Sequence, residues 1–284
     1  MVKSEEIKVS VCISVYNGER FLRKCLDSVV YQTIKQIEII LVNNGSTDLS
    51  LEIMNDYRER FPNMVRVFSQ EDRGLAQGRQ TGIDNVRGEF VAFLDADDYL
   101  SKDACEKMYD SAVKHNVDIV EFMTLMDGKV IQSKHKGIKQ TSKILQDYFL
   151  NDGIPSMLWL RLYKRSLFIK PVLPNIYVNN EDVFALPCLL FMAKDIYYLK
   201  EQLHYYNTDN VESVMNVVNS KTSNEEKIIE NRVKSLNVVR HLKNFIGINN
   251  INKKYLEEFN VFTARTVLNF CLIEFKSLSI GSSI

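Results

Sequence analysis

Residues 90–100, FVAFLDADDYL, run four apolar residues and an alanine into three carboxylates, Asp95, Asp97 and Asp98. Acids this close raise one another's pKa, and the cluster is costly unless a cation shares it. A hard divalent ion such as magnesium or manganese removes that cost, held by one or two carboxylates together with the phosphates of a substrate. The same acids also suit the start of a helix near Ser101, so the segment by itself leaves both readings open. A second acidic pair, Glu181 and Asp182, stands before an apolar run in NNEDVFALP. It either stabilises a helix dipole or supplies a carboxylate for proton transfer. A third cluster, MLWLRLYKRSLF at 157–168, carries Arg161, Lys164 and Arg165. These cations suit a diphosphate or an anionic acceptor, or else a solvated helix end. Trp159 in the same run is either a platform for an acceptor or a core residue.

The elements around these clusters follow from hydrophobic periodicity. Between Lys8 and Met126, short apolar runs alternate with amphipathic stretches, which predicts βα units packed as a largely parallel sheet. KVSVCIS, IEIILV, MVRVFS, EFVAFL and VDIVEFM read as strands. The stretches between them repeat apolar residues at helical spacing, as Phe21, Leu22, Cys25, Leu26, Val29 and Val30 do. In an open α/β sheet, ligands bind beyond the carboxyl ends of the strands. There the sequence places four polar, turn-forming segments: VYNGE, NNGSTD, QEDRG and DADD. After Asp127 the rhythm changes to a hairpin-like polar stretch, a short helix at TSKILQDYFLND and a group of prolines. From about Asn224 two amphipathic helices follow. The expected organisation is a doubly wound α/β domain over 1–215, in two parts at 1–126 and 127–215, with a helical C-terminal extension over 216–284.

Lys plus Arg and Asp plus Glu number 36 each in 284 residues, so overall charge gives no argument for nucleic acid as a partner. The five cysteines are scattered, form no C-x-x-C pair and sit among apolar residues, as reduced core cysteines do. With no signal-like N-terminus and no apolar run near the ~20 residues that span a bilayer, a cytoplasmic protein is expected. The apolar residues of the last helix, among them Phe259, Phe262 and Phe270, predict packing on the same domain, a homodimer contact, or weak peripheral contact at the inner membrane face.

Taken together, VSVCISVYNGERFLRKCLDSVVYQT, IEIILVNNGSTDLS, EDRGLAQGRQTGIDNVRGEFVAFLDADDYL and VNNEDVFALPCLLFMAKDIYYL resemble glycosyltransferase family 2, the inverting nucleotide-sugar transferases of GT-A fold. The resemblance covers roughly residues 8–210 and makes 1–126 the nucleotide-binding half and 127–215 the acceptor half. It implies a manganese or magnesium ion, a nucleotide-sugar donor with UDP favoured, and a glycan, lipid-linked glycan or glycoprotein acceptor. Asp97 matches the family's metal-binding acid and Asp95 its partner at the ribose or metal, with Ala96 in the same donor-binding turn. Asp98 is expected to cap a helix, and Glu19 and Arg20 to open one. Val15, Tyr16 and Asn17 would line the base pocket, and Arg79 matches the basic residue of A-R-N-x-G that contacts the base or orders that wall. Asn44 replaces an aspartate that accepts a hydrogen bond from uracil, which fits uracil but no longer excludes cytosine. Ser14, Gly78 and Gln80 are milder departures. In the E-D motif Asp182 matches the catalytic base, with Glu181 beside it. MLWLRLYKRSLF resembles W-x-K-L-Y-K-R, with Arg161 in place of its first lysine. His204 falls in a late strand where some GT-A enzymes place a metal ligand, and Asn207 replaces a usual arginine.

Two rivals stand beside this reading. A sugar nucleotidyltransferase shares the doubly wound sheet and metal carboxylates, but its N-terminal phosphate loop is Gly-rich and basic, whereas SVYNGERFLRK holds only Gly18. A catalytically degenerate scaffold fits the departures at Asn44, Gln80 and Asn207, and donor hydrolysis separates it from an enzyme.

Overall fold

The computed structural model describes residues 6–150, 153–170, 172–174, 181–210, 240, 242–245 and 260. Side chains alternate across the first strand, β1 (Val9–Val15). Val9, Val11, Ile13 and Val15 enter one core, and Cys12 enters the other. The next strand, β2 (Ile37–Asn44), divides in the same way, with Ile39 and Leu41 on the first face and Ile40 and Val42 on the second. A sheet apolar on both faces needs helices on both. The first core is closed by α1 (Glu19–Val30), α2 (Ser50–Arg60) and α4 (Ala104–His115). The second is closed by α3 (Leu75–Asp84), α5 (Thr141–Phe149) and α6 (Asp182–Met192).

The remaining strands are β3 (Val65–Gln70), β4 (Phe90–Phe93), β5 (Tyr99–Leu100), β6 (Ile119–Met126), β7 (Lys129–Ile131), β8 (Gly137–Gln140), β9 (Arg161–Lys164) and β10 (Asp195–Tyr205). They form one sheet in the order β3-β2-β1-β4-β9-β6-β10-β5, with β7 on β6 and β8 on β10. The run β3-β2-β1-β4 is parallel, as is β6 with β10, while β9 is antiparallel to both neighbours. This is the expected doubly wound, mostly parallel α/β architecture, and one sheet runs through both expected halves.

Several local expectations change. The stretch expected as a hairpin does form strands, but β7 pairs with β6 and β8 with β10 rather than with each other. The basic run, read as either a diphosphate or acceptor contact or a solvated helix end, divides: Arg161 and Lys164 belong to strand β9, and Arg165 is exposed at the start of a short 3-10 turn over Arg165–Phe168. Arg161 is fully buried opposite Glu121 of β6 and ion-paired with it at 2.5 Å, and it also donates to the carbonyls of Met157 and Pro155. Arg161 is therefore committed to the interior and is not placed to meet a diphosphate or an acceptor. Trp159 is buried as well, 4 % exposed. Asp98 does not cap a helix, because α4 begins after Asp103.

Pro187 lies inside α6 and lacks the N–H that would reach back to residue 183. The hydroxyl of Tyr148 donates to that Val183 carbonyl at 2.9 Å, so the helix passes through the proline with its acceptor satisfied. Cys12, Cys25, Cys105 and Cys188 are buried free thiols. Among the described residues no helix is long and apolar enough to cross a membrane. Of the expected C-terminal helices, residues 240, 242–245 and 260 are described, all helical, and Leu242 and Phe245 are buried in the second core, with Phe245 edge-on to Phe191 of α6. The rest of that extension, with Cys271 and the expected dimer or membrane contact, lies outside the described residues.

Candidate active site

Beyond the carboxyl ends of β1 and β2, two loops are laced together. Asn17 adopts a left-handed φ of 49°, its Oδ1 accepts from the Thr47 amide at 2.8 Å, and its own amide donates to Ser46 Oγ at 3.1 Å. Asn43 Oδ1 accepts from the Ser46 amide at 3.0 Å. Val15 is buried in the strand and Tyr16 stands 56 % exposed on the loop, so the structure gathers Val15, Tyr16 and Asn17 at one rim. At Gly45, φ is +81° and a Cβ would lie 2.6 Å from the Asp72 amide, so only glycine lets the β3–α3 loop approach this closely.

Helix α3 lies directly on this end of the sheet. A Cβ on Gly78 would lie 2.1 Å from Ser14 Oγ. The departures at Ser14 and Gly78 are therefore coupled, since the serine hydroxyl fills the space an alanine methyl would need. Asn44 is 3 % exposed, accepts from Gln70 Nε2 at 2.7 Å and donates to Asp72 Oδ1 at 3.1 Å. Gln80 turns along its own helix and donates to Asp84 at 2.8 Å.

Arg79 is the centre of the site. It is 4 % exposed. Its Nη2 donates to Asp95 Oδ1 at 2.8 Å, and its Nη1 reaches both Glu181 Oε1 and Asp182 Oδ1, the latter at 2.5 Å. One guanidinium thus joins the acid that ends the fourth strand segment to the pair that opens α6. Burial alone would lower the Arg79 pKa, but Asp182, Asp95 and Glu181 outweigh it and hold the group above the ordinary arginine range. Three carboxylates exceed one cation. Burial pushes Glu181 up to about 8, with Arg79 opposing and Asp182 adding. Asp182 is also raised by burial, against Arg79 and with Asp95. Asp182 Oδ2 accepts from the Leu158 amide at 3.3 Å, which fixes the carboxylate while leaving it 19 % exposed.

Asp97 and Asp98 face a different set of partners. Asp97 Oδ2 accepts from Asn210 Nδ2 at 2.7 Å, and burial, then Asp95 and Asp98, push its pKa up to about 6. Asp98 is fully buried, accepts from the Asn207 amide at 2.7 Å and lies 3.2 Å from His204 Nε2. Burial, then Asp95, push it up to about 8. His204 is fully buried, stacked on Trp159 at 4.3 Å, with Nδ1 2.7 Å from Thr124 Oγ1. Burial lowers it to about 4, against the pull of Asp95 and Asp97. Ala96 stands in the turn between Asp95 and Asp97, within reach of Gly18 of the β1 loop, where a Cβ would lie 3.6 Å from its methyl.

Sequence reasoning placed Arg79 at the base pocket and did not connect it to the E-D pair. The signal was an arginine between Gly78 and Gly82 on the sheet-facing side of a helix, a position that buries a cation and demands counter-charges. Asp72 and Asn210 were not singled out either.

The profile of the family described as "Glycosyl transferase family 2" matches residues 10–170, more than half of the chain. The chain belongs to glycosyl transferase family 2. The family match takes in Arg79, Asp95 and Asp97 and ends before Glu181 and Asp182, which the structure brings to the same place through Arg79. Among relatives, the chain is 31% identical over 212 residues to glycosyltransferase GlyA of Streptococcus pneumoniae, covering 70% of this chain and 30% of GlyA. The chain thus spans less than a third of that relative. Among solved structures, S. aureus TarS 1-349 in complex with UDP aligns with a TM-score of 0.61 at 21% identity, over 78% of this chain and 68% of that one. The mannosyltransferase PcManGT of Pyrobaculum calidifontis, in complex with GDP-Man and Mn2+, aligns at 0.53 and 14% identity, over 98% and 76%. At these identities the two structures show a shared fold.

Proposed function

We propose that the chain transfers a sugar from a nucleoside diphosphate, with UDP favoured, to a hydroxyl of a glycan, lipid-linked glycan or glycoprotein, with inversion at the anomeric carbon. The observation that carries this is the Arg79 bridge, which holds a donor-side acid, Asp95, and a proton-accepting pair, Glu181 and Asp182, in one site. Family membership supports the reaction class, and the UDP held by TarS supports the donor.

Asp97 and Asp95 offer hard carboxylate oxygens at a strand end, a donor set that suits magnesium or manganese when diphosphate and water complete the shell. Burial, then Asp95 and Asp98, raise the Asp97 pKa, a cost that a cation at this place would offset. A divalent ion held by Asp97 and Asp95 would supply charge neutralisation for the diphosphate leaving group. Val15, Tyr16 and Asn17 flank the base at the rim of the sheet. Asp182 takes the proton of the acceptor hydroxyl, and its raised pKa brings it toward the range in which a carboxylate is an effective base. Glu181 is the deeper of the two, 2 % exposed against 19 % for Asp182, so Asp182 is the better placed to meet an acceptor. Arg79 orients both.

The test is turnover of UDP-, CDP- and GDP-sugars by the full chain with manganese or magnesium, followed by proton NMR of the anomeric signal. The expected result is transfer with inversion, and a loss of at least ~100-fold in Asp97→Asn, the scale of losing a principal electrostatic group. No turnover of any donor overturns the reading. Full activity in excess chelator overturns the metal assignment alone.

A further inference from the structure

We propose that the free edge of the sheet at β8, with the strap that leads to it over residues 132–136, is a docking surface for a bilayer that carries anionic lipid headgroups. This surface stands apart from the donor site and does not depend on the nucleotide-sugar reading above.

The chain as a whole is neutral, but its charge is not evenly spread. Residues 128–146 hold five lysines and a histidine, with no aspartate, glutamate or arginine. The fold turns this stretch into a surface. Residues 132–136 cross from β7, which pairs with β6, to β8, which pairs with β10. Ser133 is buried, the His135 ring lies 5.4 Å from that of Tyr198, and His135 Nε2 lies 3.3 Å from Asp147 Oδ2. Lys134 and Lys136, which alternate with these two, are exposed. Among the described strands β8 pairs with β10 alone, so its outer side is an edge, and Ile138, Lys139 and Gln140 on it are exposed. The Thr141 amide donates to the Lys194 carbonyl at 3.0 Å, which brings a further lysine, its side chain 86% exposed, to the end of the same edge. Lys143, in the first turn of α5, is exposed as well. Two acids border the patch, and both have partners. Asp147 is buried between His135 and Lys143, and Asp195 lies 3.8 Å from Lys194.

Lysines on a free edge also keep other strands from pairing with it. That purpose does not account for Lys134, Lys143 and Lys194, which lie off β8. The chemistry of the patch selects among anionic partners. Arginine grips single phosphates with a planar fork, and the stretch has none. Lysine is a hydrated point charge suited to the diffuse field of a headgroup layer, where each contributes about 5-fold in affinity. Val130 and Ile138, in the strands at either end of the strap, are 46% and 48% exposed. A bilayer rewards apolar side chains beside the cations, and a soluble polyanion does not.

The experiment sediments the full chain with vesicles of phosphatidylcholine alone and of phosphatidylcholine mixed with phosphatidylglycerol. Wild type is expected to bind the mixed vesicles at least ~10-fold better, and to leave them in about 1 M salt, where the screening length falls to about 3 Å. Lys134→Gln/Lys136→Gln/Lys139→Gln/Lys194→Gln removes four charges and is expected to weaken binding to the mixed vesicles at least ~100-fold. Val130→Ser/Ile138→Ser keeps the charges and is expected to weaken it about 5-fold or more. Thermal melting checks that each variant is folded, and the lipid and salt arms use wild type alone, so a variant that does not fold leaves the test standing. Equal binding to both vesicles, or none to either, overturns the proposal. So does a quadruple variant that binds as wild type does, which moves the membrane contact to another part of the chain. Binding to inorganic polyphosphate that the quadruple variant loses, with no binding to vesicles, overturns the bilayer in favour of an anionic polymer.

Discussion

Replacing Arg79 by methionine keeps the length and apolar stem of the side chain and removes the cation from three carboxylates. The structure ranks what each of them loses. Asp95 and Asp182 are 29% and 19% exposed and recover water, while Glu181 at 2% cannot. Removing one partner of a buried ion pair costs about 3–5 kcal/mol, a large share of the ~5–15 kcal/mol that holds a typical domain together. The cost depends on pH. Burial already raises Glu181 from 4.5 to about 8, so in wild type its contribution is fully present below 4.5 and is lost as pH rises through about 8. Without Arg79 the folded-state pKa moves higher still, and the loss continues further up the pH scale at up to about 1.4 kcal/mol per unit. His204, whose pKa is depressed from 6.5 to about 4, works in the opposite sense, but it does so in both proteins and cancels in the comparison. Urea unfolding followed by circular dichroism at about pH 6 and about pH 9.5, on either side of the wild-type Glu181 pKa, should show the smaller deficit at the lower pH. Arg79→Met/Glu181→Gln should recover at least ~2 kcal/mol of the deficit at the higher pH, as a directly coupled pair does. A single variant within ~0.5 kcal/mol of wild type at both pH values, or a deficit that does not change with pH, would refute the assignment of Arg79 as the counter-ion of Glu181.

Arg161→Met strands Glu121, which burial already raises against the pull of Arg161, and should cost about 3–5 kcal/mol in urea unfolding. Nucleotide affinity measured on the folded variant should stay at the wild-type value, since Arg161 belongs to the interior, and a selective loss of donor binding would return it to the site. Gly78→Ala gains about 1 kcal/mol of helix propensity but drives a methyl into Ser14 Oγ, an overpacking cost of about 1–3 kcal/mol. The variant should melt lower than wild type and Ser14→Ala/Gly78→Ala should regain most of the loss. A Gly78→Ala protein as stable as wild type would show that the two positions are independent.

The parallel half of the sheet was legible because its signals are local. Period-two burial in β1 and β2 and helical spacing in α1 are written into short stretches, and polar turns mark where each strand ends. The acids at 95, 97, 181 and 182 were visible for the same reason. What escaped depends on partners far along the chain. Arg161 looked free for a diphosphate or for a solvated helix end because Glu121, which neutralises it, lies 40 residues earlier on another strand. Asp98 looked like a cap because it precedes a helix, but its burial is set by His204 and Asn207 more than a hundred residues later. Arg79 meets Glu181 and Asp182 across 102 and 103 positions, which no local pattern encodes. Ser14 and Gly78 read as two separate mild departures, and only their contact shows that each accommodates the other.

The most direct test of the site as a sugar-transfer centre is Asp182→Asn, which preserves shape and removes the proposed base. Donor affinity and transfer rate should be measured on the same preparation, by calorimetry with the nucleotide sugar and by single-turnover product formation. The account predicts donor binding close to wild type and transfer reduced at least ~100-fold, because general-base assistance is lost while the donor side of the site is intact. Transfer at the wild-type rate in Asp182→Asn, with Glu181→Gln inactive, would contradict it and move the base to Glu181.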